Sequence, residues 1–578
     1  PSPFVPESDE EKTSEKPKAE SKGKDKNAKK KTKAKGDKQA DKKTAKEVKT
    51  EIDLDGIMQR ILAVPMPARA YVDLQTGGSG EILAVESVPP LPGAFFSQGN
   101  TVHRYSLKQR KADVVAGNIR SFQMAHSGKK YLYSKQGRWY IGKLSPMPPA
   151  GAPPRPPSAA GPGGDVLNTG NIKIKVNPRQ EWQQMYNEAW RIEREFFYDP
   201  NMHGLDVEKA RKKYAPYVKH IVSRQGLNYL LAEMLGEIIV GHLGVGGGDY
   251  QRADRIPTGL LGADYAIENG RYRFSRVYNG ENWNPRLKAP LTQPGVNVKE
   301  GEYLLAVDRQ DVHGKDNIYK FFEAKTGKQV ILTVGPNPEM KDSRQVTVVP
   351  VRSESDLRHF SWIEDNRRYV DRVTNGRVAY VYMPDTFFGG YTYFNRYFYA
   401  QVGREGLIVD ERFNGGGMLA TDIIERLKRE MMSLVATRDG EDEVQPQGAI
   451  FGPKVMLINE FAGSGGDAMP WYFKRAKVGP LVGKRTWGGL VGRAGGSSLM
   501  DGGYVSAPSS GVWSPDGKWI AENIGVIPDV EVEQDPALVR QGKDPQLDTA
   551  IKIVLDELAK NPLPKPKRPA YPNYHKKK

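Results

Sequence analysis

Cysteine is absent from all 578 residues, which excludes a disulfide framework, a thiol nucleophile and thiolate-ligated zinc while leaving the redox compartment open. Long apolar runs are absent as well. None approaches the ~18 residues of a membrane-spanning helix, so no membrane partner is expected. Histidine is scarce at 8 residues, so any chemistry that needs an imidazole has few candidates. Residues 1–50 have almost no aromatic or branched apolar side chain after Val5, and they carry 16 lysines against 10 acids, +6 of the formal +17. Such a stretch cannot bury enough surface to offset its ordering entropy, which predicts disorder. A pI near 9.4 raises nucleic acid as a partner. The lysines, however, are interleaved with Glu, Asp and Ala rather than with stacking aromatics, so no nucleic acid is expected. The chain opens at Pro1 without Met, so the lack of a targeting signal at its start carries no information on compartment.

What is present divides into blocks. At about 150 residues per domain, this length predicts three or four domains. Residues 51–145 hold short apolar stretches cut by Gly, Pro and Asp, and Tyr131–Ile141 reads as a hairpin about Gln136-Gly137. A few strands leave edges unpaired, so this block is expected to be the end of a larger strand-repeat domain. Residues 146–178 open with PMPPAGAPPRPPSAAGPG, an extended, semi-rigid linker.

Residues 179–255 are helical. Trp182, Met185, Ala189, Ile192 and Phe196 form one stripe, and a second helix is expected over about 228–238. Residues 256–350 alternate like a small β-rich domain, with one helix near 317–324. Its Gly301-Glu-Tyr-Leu-Leu-Ala-Val-Asp308 resembles a strand of PDZ domains. Residues 351–560 alternate apolar strands (377–383, 406–410, 454–458) with glycine-rich turns and helices, the pattern of strands buried between helices. Residues 561–578 return to Pro and Lys and are expected to fray.

The strongest local signal is Asn459-Glu-Phe-Ala-Gly-Ser464-Gly465-Gly-Asp467. A serine between glycines at a strand-to-helix turn presents its hydroxyl on a tight bend, beside the positive end of a helix. That suits a nucleophile for acyl transfer, with the Gly465 amide as an oxyanion donor. An N-capping serine is the structural alternative. A second turn, Arg412-Phe-Asn-Gly-Gly-Gly417, lets backbone approach a substrate and offers the Gly417 amide as a second donor. A phosphate cradle is its rival, although no Gly-Lys-Ser/Thr follows. Of the histidines, only His242 lies in a comparable setting, Gly241-His-Leu-Gly-Val-Gly-Gly-Gly-Asp249, where it could serve as a base or be merely structural. Ser514-Pro-Asp-Gly-Lys-Trp519, a phrase frequent in propeller blades, reads here as a hairpin turn.

NEFAGSGGD, DERFNGGG, RTWGGLVG (485–492), ENIGVIPD (522–529) and GEIIVGHLGVGGGD (236–249) together resemble the tricorn protease family over about residues 51–560. The resemblance implies a multidomain α/β protein: a β-propeller remnant, a helical subdomain, a PDZ-like domain and an α/β catalytic domain of the ClpP/crotonase-like kind. It implies a serine endopeptidase with Ser464 as nucleophile, His242 as base, Glu522 as the acid that orients it, and Gly417 and Gly465 as oxyanion amides. It also implies peptide substrates, no cofactor, a homohexamer and a cytoplasmic location. Two positions depart from the family. Gly241 stands where the family has a serine that bridges to the glutamate, and the acidic specificity residue aligns near Val435–Ala436, with Asp439 and Glu441 close by. Two alternatives are a serine/lysine C-terminal processing peptidase and a non-catalytic PDZ scaffold. The first needs a lysine where Gly489 follows Trp487-Gly488.

Overall fold

The computed structural model describes residues 54–575 except 56, 89–98, 147–163, 494–496 and 565. The expectation for residues 1–50 and most of the proline-rich run lie outside them. The chain forms two compact units, Pro1–Ile174 and Lys175–Lys578, each described here by itself.

In the first unit, alternating apolar residues build two antiparallel meanders of four strands. One is β1 (Tyr71–Thr76), β2 (Glu81–Ser87), β3 (Asn100–Ser106) and β4 (Lys111–Ile119). The other is β5 (Ser121–Met124), β6 (Lys130–Lys135), β7 (Arg138–Lys143) and β8 (Gly164–Leu167). A four-stranded meander is the unit of a propeller blade. Leu83, Val85 and Val102 from one sheet share a core with Phe122, Tyr131 and Tyr133 from the other. The β6–β7 hairpin turns at Gln136 and Gly137, both at positive φ (50° and 75°), as a two-residue turn matched to strand twist requires. β8 corrects the linker expected over 146–178. Four residues are too short to show periodicity, yet the open edge of β7 accepts them as a strand.

The second unit begins with three helices, α1 (Pro178–Phe196), α2 (Val207–Val218) and α3 (Arg224–Leu235). Met185, Tyr186, Ala189, Trp190 and Ile192 of α1 are buried against Leu227, Leu231 and Met234 of α3. Each of the buried Met, Leu and Ile side chains contributes about 1.5–3 kcal/mol. Phe196, expected on the buried stripe, is exposed where the helix ends, and Phe197 is buried instead. α3 starts four residues before the expected helix because Ser223 caps it, its hydroxyl accepting from Gly226 N–H at 3.0 Å. A three-residue strand, β9 (Gly244–Gly246), follows.

An antiparallel sheet then forms from β10 (Ala263–Glu268), β11 (Arg271–Val277), β12 (Tyr303–Val307), β13 (Gln310–Asp311), β14 (Val330–Gly335) and β15 (Arg344–Val348). The helix expected near 317–324 is one 3-10 segment, Ile318–Phe322. The final layer is a parallel sheet in the order β16 (Val378–Tyr382), β17 (Gly406–Asp410), β20 (Lys454–Ile458), β21 (Leu481–Gly483) and Val530–Glu531, with the hairpin β18 (Ser433–Val435) and β19 (Glu443–Gln445) outside it. Alternate residues face opposite layers. Ala379 and Val381 pack with α5 (Phe388–Tyr399), α6 (Ala420–Leu427) and α7 (Gly465–Arg475), whereas Val378, Tyr380 and Tyr382 pack with α4 (Ser355–Val373) and the helix Pro545–Lys560. Coverage on both faces explains the unbroken apolar strands. The tail 561–575 has no regular element, but it is tied down where Arg568 pairs with Asp442 beside β19.

Candidate active site

Two glycine turns meet at the carboxyl ends of neighbouring strands. After β17, Asp410 and Asp544 clamp the buried Arg412 guanidinium, at 2.7 and 2.9 Å. This fixes the base of the turn that runs from Asn414 to Gly417. After β20 comes Ser464, at φ 59° and ψ −113°. That backbone is strained for a non-glycine residue and unlike the extended conformation of an ordinary N-cap. The turn is held by the buried carboxylate of Asp467, which accepts the amides of Ser464 (2.8 Å), Gly488 (2.8 Å) and Gly489 (3.0 Å) as well as the Thr486 hydroxyl. Burial raises the Asp467 carboxyl against these donors. Burial also drives the neighbouring Glu411 well above the usual carboxylate range, with the Asp467 and Asp410 charges adding to the effect. α7 begins at Gly465, so Pro470 falls in the second turn, and the Gly466 carbonyl loses its usual donor.

The turns are stitched together. Asn459 Oδ1 accepts the amides of Phe413 (2.9 Å) and Phe461 (3.3 Å), and the Asn414 carbonyl accepts Gly463 N–H at 3.1 Å. A Cβ on Gly416, whose φ is +87°, would lie 2.7 Å from Ser464 Cβ, so only glycine fits there. A Cβ on Gly465 would lie 2.5 Å from the Gly417 nitrogen. The amides of Gly417 and Gly465 thus lie close together, and neither has a hydrogen-bond acceptor among the described residues.

His242 arrives from the other side of the unit. Its loop follows the short helix after α3, and the residue sits at φ 61°. β9 pairs antiparallel with Tyr504–Ser506, and Ser506 Oγ donates to the His242 carbonyl at 3.1 Å. Arg224 pairs with Asp501, both almost fully buried, and Asp501 also accepts the amides of Asp249 and Gly503, each at 3.0 Å. Burial would raise the Asp501 carboxyl. The Arg224 hydrogen bond, the two amides and the Arg224 charge outweigh it and hold the group at about 2.

Glu522 joins the two sides. Its carboxylate accepts Gly241 N–H at 2.6 Å, Leu490 N–H at 2.6 Å and Val491 N–H at 2.9 Å. It therefore grips the amide N–H of Gly241, the residue directly before His242. A side chain at 241 has no room: its Cβ would lie 2.9 Å from Gly489 Cα and 3.2 Å from the Trp487 ring. That ring is 5.7 Å from the His242 ring, and Trp487 N–H donates to the Ala462 carbonyl at 2.9 Å. Trp487 thus touches both the histidine loop and the segment that leads into the Ser464 turn. Local pattern did not single out Trp487, Arg224 or Asp501, because each acts through a partner remote in sequence. The hairpin expected at Ser514–Trp519 is present, with Ser514 N–H donating to the Lys518 carbonyl at 2.8 Å. Among the described residues, no cluster of three or more His, Asp or Glu is placed to hold a metal ion, and no helix is long and apolar enough to cross a membrane.

Residues 178–236 match the family model for the tricorn protease C1 domain, 259–353 that for the tricorn protease PDZ domain, and 377–532 that for peptidase family S41. The chain is 33% identical over 514 residues to a putative tricorn-like protease C-terminal subunit of Sulfurisphaera tokodaii, covering 88% of this chain and 58% of that one. It is 33% identical over 535 residues to tricorn protease homolog 1 of Streptomyces coelicolor, covering 89% and 48%. A crystal structure of the tricorn protease superposes with a TM-score of 0.76 at 28% identity, over 85% of this chain and 46% of that one. The chain spans about half the length of the curated relatives it matches.

Proposed function

This chain belongs to the tricorn protease family, and on that premise we propose that it hydrolyses peptide bonds through an acyl-enzyme formed on Ser464. The observation that carries the reading is a serine in strained left-handed backbone with the amides of Gly417 and Gly465 close together beside it.

In this mechanism the Ser464 oxygen attacks the scissile carbonyl carbon while His242 takes its proton. The carbonyl oxygen becomes an oxyanion held by the two amide N–H groups, which need no reorganisation because the turns already fix them. His242 then gives its proton to the leaving amine as the C–N bond breaks. Water, activated by the same imidazole, hydrolyses the ester and restores the serine. Glu522 acts on the histidine by holding the Gly241 peptide. In the family the corresponding contact is to a serine hydroxyl; here the backbone amide takes that place. The natural substrates are peptides, and the complete protein is a cytoplasmic homohexamer on the same family grounds. Steady-state hydrolysis of a fluorogenic peptide tests the reading: Ser464→Ala should be inactive with an unchanged Tm, and turnover at the wild-type rate would remove Ser464 from the chemistry.

A further inference from the structure

The mechanism above leaves one buried side chain between the two glycine turns unused. Thr386 lies in the connection from β16 to α5. Its backbone forms an isolated parallel bridge to the oxyanion turn: Thr386 N–H donates to the Gly416 carbonyl at 2.9 Å, and its own carbonyl accepts Leu419 N–H at 2.8 Å. The residue is completely buried, and its Oγ1 has no hydrogen-bond partner among the described residues. A Cβ built on Gly465 would overlap Thr386 Oγ1 and lie 2.5 Å from both the nitrogen and the oxygen of Gly417. On the far side, a Cβ on Gly417 would lie 2.7 Å from Phe387 N and overlap the Thr386 carbonyl. Three segments therefore meet at one point: the Thr386 hydroxyl, the Gly465 Cα and the Gly417 peptide.

A buried hydroxyl without a partner costs stability that an apolar group at the site would not lose. The hydroxyl therefore calls for a reason other than packing. We propose that Thr386 is a positioning residue for the reaction, its hydroxyl oxygen setting the gap between Gly417 and Gly465 and so the separation of the two amides. The inference rests on reading those amides as oxyanion donors. Thr386 itself touches no reacting atom. A methyl group in place of the hydroxyl needs a longer contact to Gly465 Cα. Because Gly417 is backed by Thr386's own main chain, the strain has to push Gly465 outward. Oxyanion donors work only within a narrow distance range, so a small displacement lowers the rate of the chemical step more than it lowers substrate affinity.

The test uses the full chain with Thr386→Val, Thr386→Ser and Thr386→Ala. It measures kcat and KM on one peptide and the Ki of a peptide aldehyde, which forms a tetrahedral oxyanion adduct with an active serine. Thr386→Val is expected to lower kcat by roughly 10–100-fold with KM within about twofold, and to weaken aldehyde binding by a similar factor. Thr386→Ser keeps the oxygen and should stay near wild type. Thr386→Ala leaves space rather than overfilling it and should remain faster than Thr386→Val, which keeps the test decisive if the valine variant folds poorly. Wild-type kcat in Thr386→Val, equal losses in the Val and Ser variants, or a change confined to KM overturns the proposal. The controls separate the two ideas. With Ser464→Ala inactive, such a result sinks only the spacing role; with Ser464→Ala active, the reading of the site fails and the spacing role falls with it.

Discussion

The Ser464 turn and the His242 loop are both glycine-rich, yet they are held in place by different means. The serine turn grows out of β20, whose neighbours β17 and β21 are buried on both faces, and it is stitched to the Asn414–Gly417 turn by hydrogen bonds within the same layer. The histidine loop lies outside the parallel sheet. It is pinned from outside, by the three-residue ladder of β9, the Arg224–Asp501 pair and the grip of Glu522 on Gly241. The position of Ser464 thus follows from the core of the fold, whereas that of His242 depends on docking between segments more than 250 residues apart in sequence. Changes that loosen the docking should reduce activity before they unfold the parallel sheet.

The largest effect should come from removing the His242 imidazole. His242→Ala should lower kcat by on the order of 10⁴–10⁶, because residues that act as a unit lose nearly the whole effect when either is removed. Steady-state kinetics on purified protein checks this; a loss under tenfold would mean that the docked loop has no part in the chemistry. Next is the docking pair. Arg224→Leu leaves the Asp501 carboxylate buried without its cation, a cost of about 3–5 kcal/mol. Activity should fall further than Tm alone explains, and Asp501→Asn in the same background should recover part of it. A fall in Tm with full activity at low temperature would place the pair in stability only.

Glu522→Gln should reduce kcat by roughly 10–100-fold, less than the ~10⁴ seen when a directly bonded triad acid is neutralised, because its contact here is to the Val240–Gly241 peptide through the Gly241 N–H. A loss as deep as that of His242→Ala would contradict action through that peptide. Gly241→Ser, which restores the family's residue, should slow turnover by about tenfold, since its Cβ would lie 2.9 Å from Gly489 Cα. A faster enzyme would show that the loop can shift to admit the hydroxyl.

The smallest effect concerns pH. Asp501 is held at about 2 in the folded protein, below the ~3.9 of a free aspartate. Its contribution of about 2–3 kcal/mol is therefore complete above pH 4 and is lost as pH falls from about 4 to 2. Acid titration of wild type against Asp501→Asn should show the difference between them shrinking over that window. A constant difference would mean that the carboxylate's charge is not what holds the loop.

Much of this was legible in the chain. Strands 303–307, 406–410 and 454–458 are short, largely apolar runs without polar alternation, as burial on both faces requires. Ser464, Gly417 and His242 stood out because glycine clusters mark close backbone approach. What escaped was what one segment does to another. β8 is a strand only because β7 offers an edge. α2 carries lysines and Pro216, with only Ala210 and Val218 buried, and so shows little apolar stripe. Phe196 fits the α1 period but lies past the reach of the core. Trp487 and Thr386 gain their meaning from backbone contacts with turns remote from them in sequence.

The central claim is that Ser464 is activated by a histidine held in place through docking. The most direct measurement is labelling with a fluorophosphonate probe, with the modified residue located by mass spectrometry in wild type, His242→Ala and Arg224→Leu. The account predicts a single adduct on Ser464 in wild type, none in His242→Ala, and slowed labelling in Arg224→Leu at a temperature where that variant is still folded. An adduct on another serine, or Ser464 labelled equally fast in all three, would contradict it.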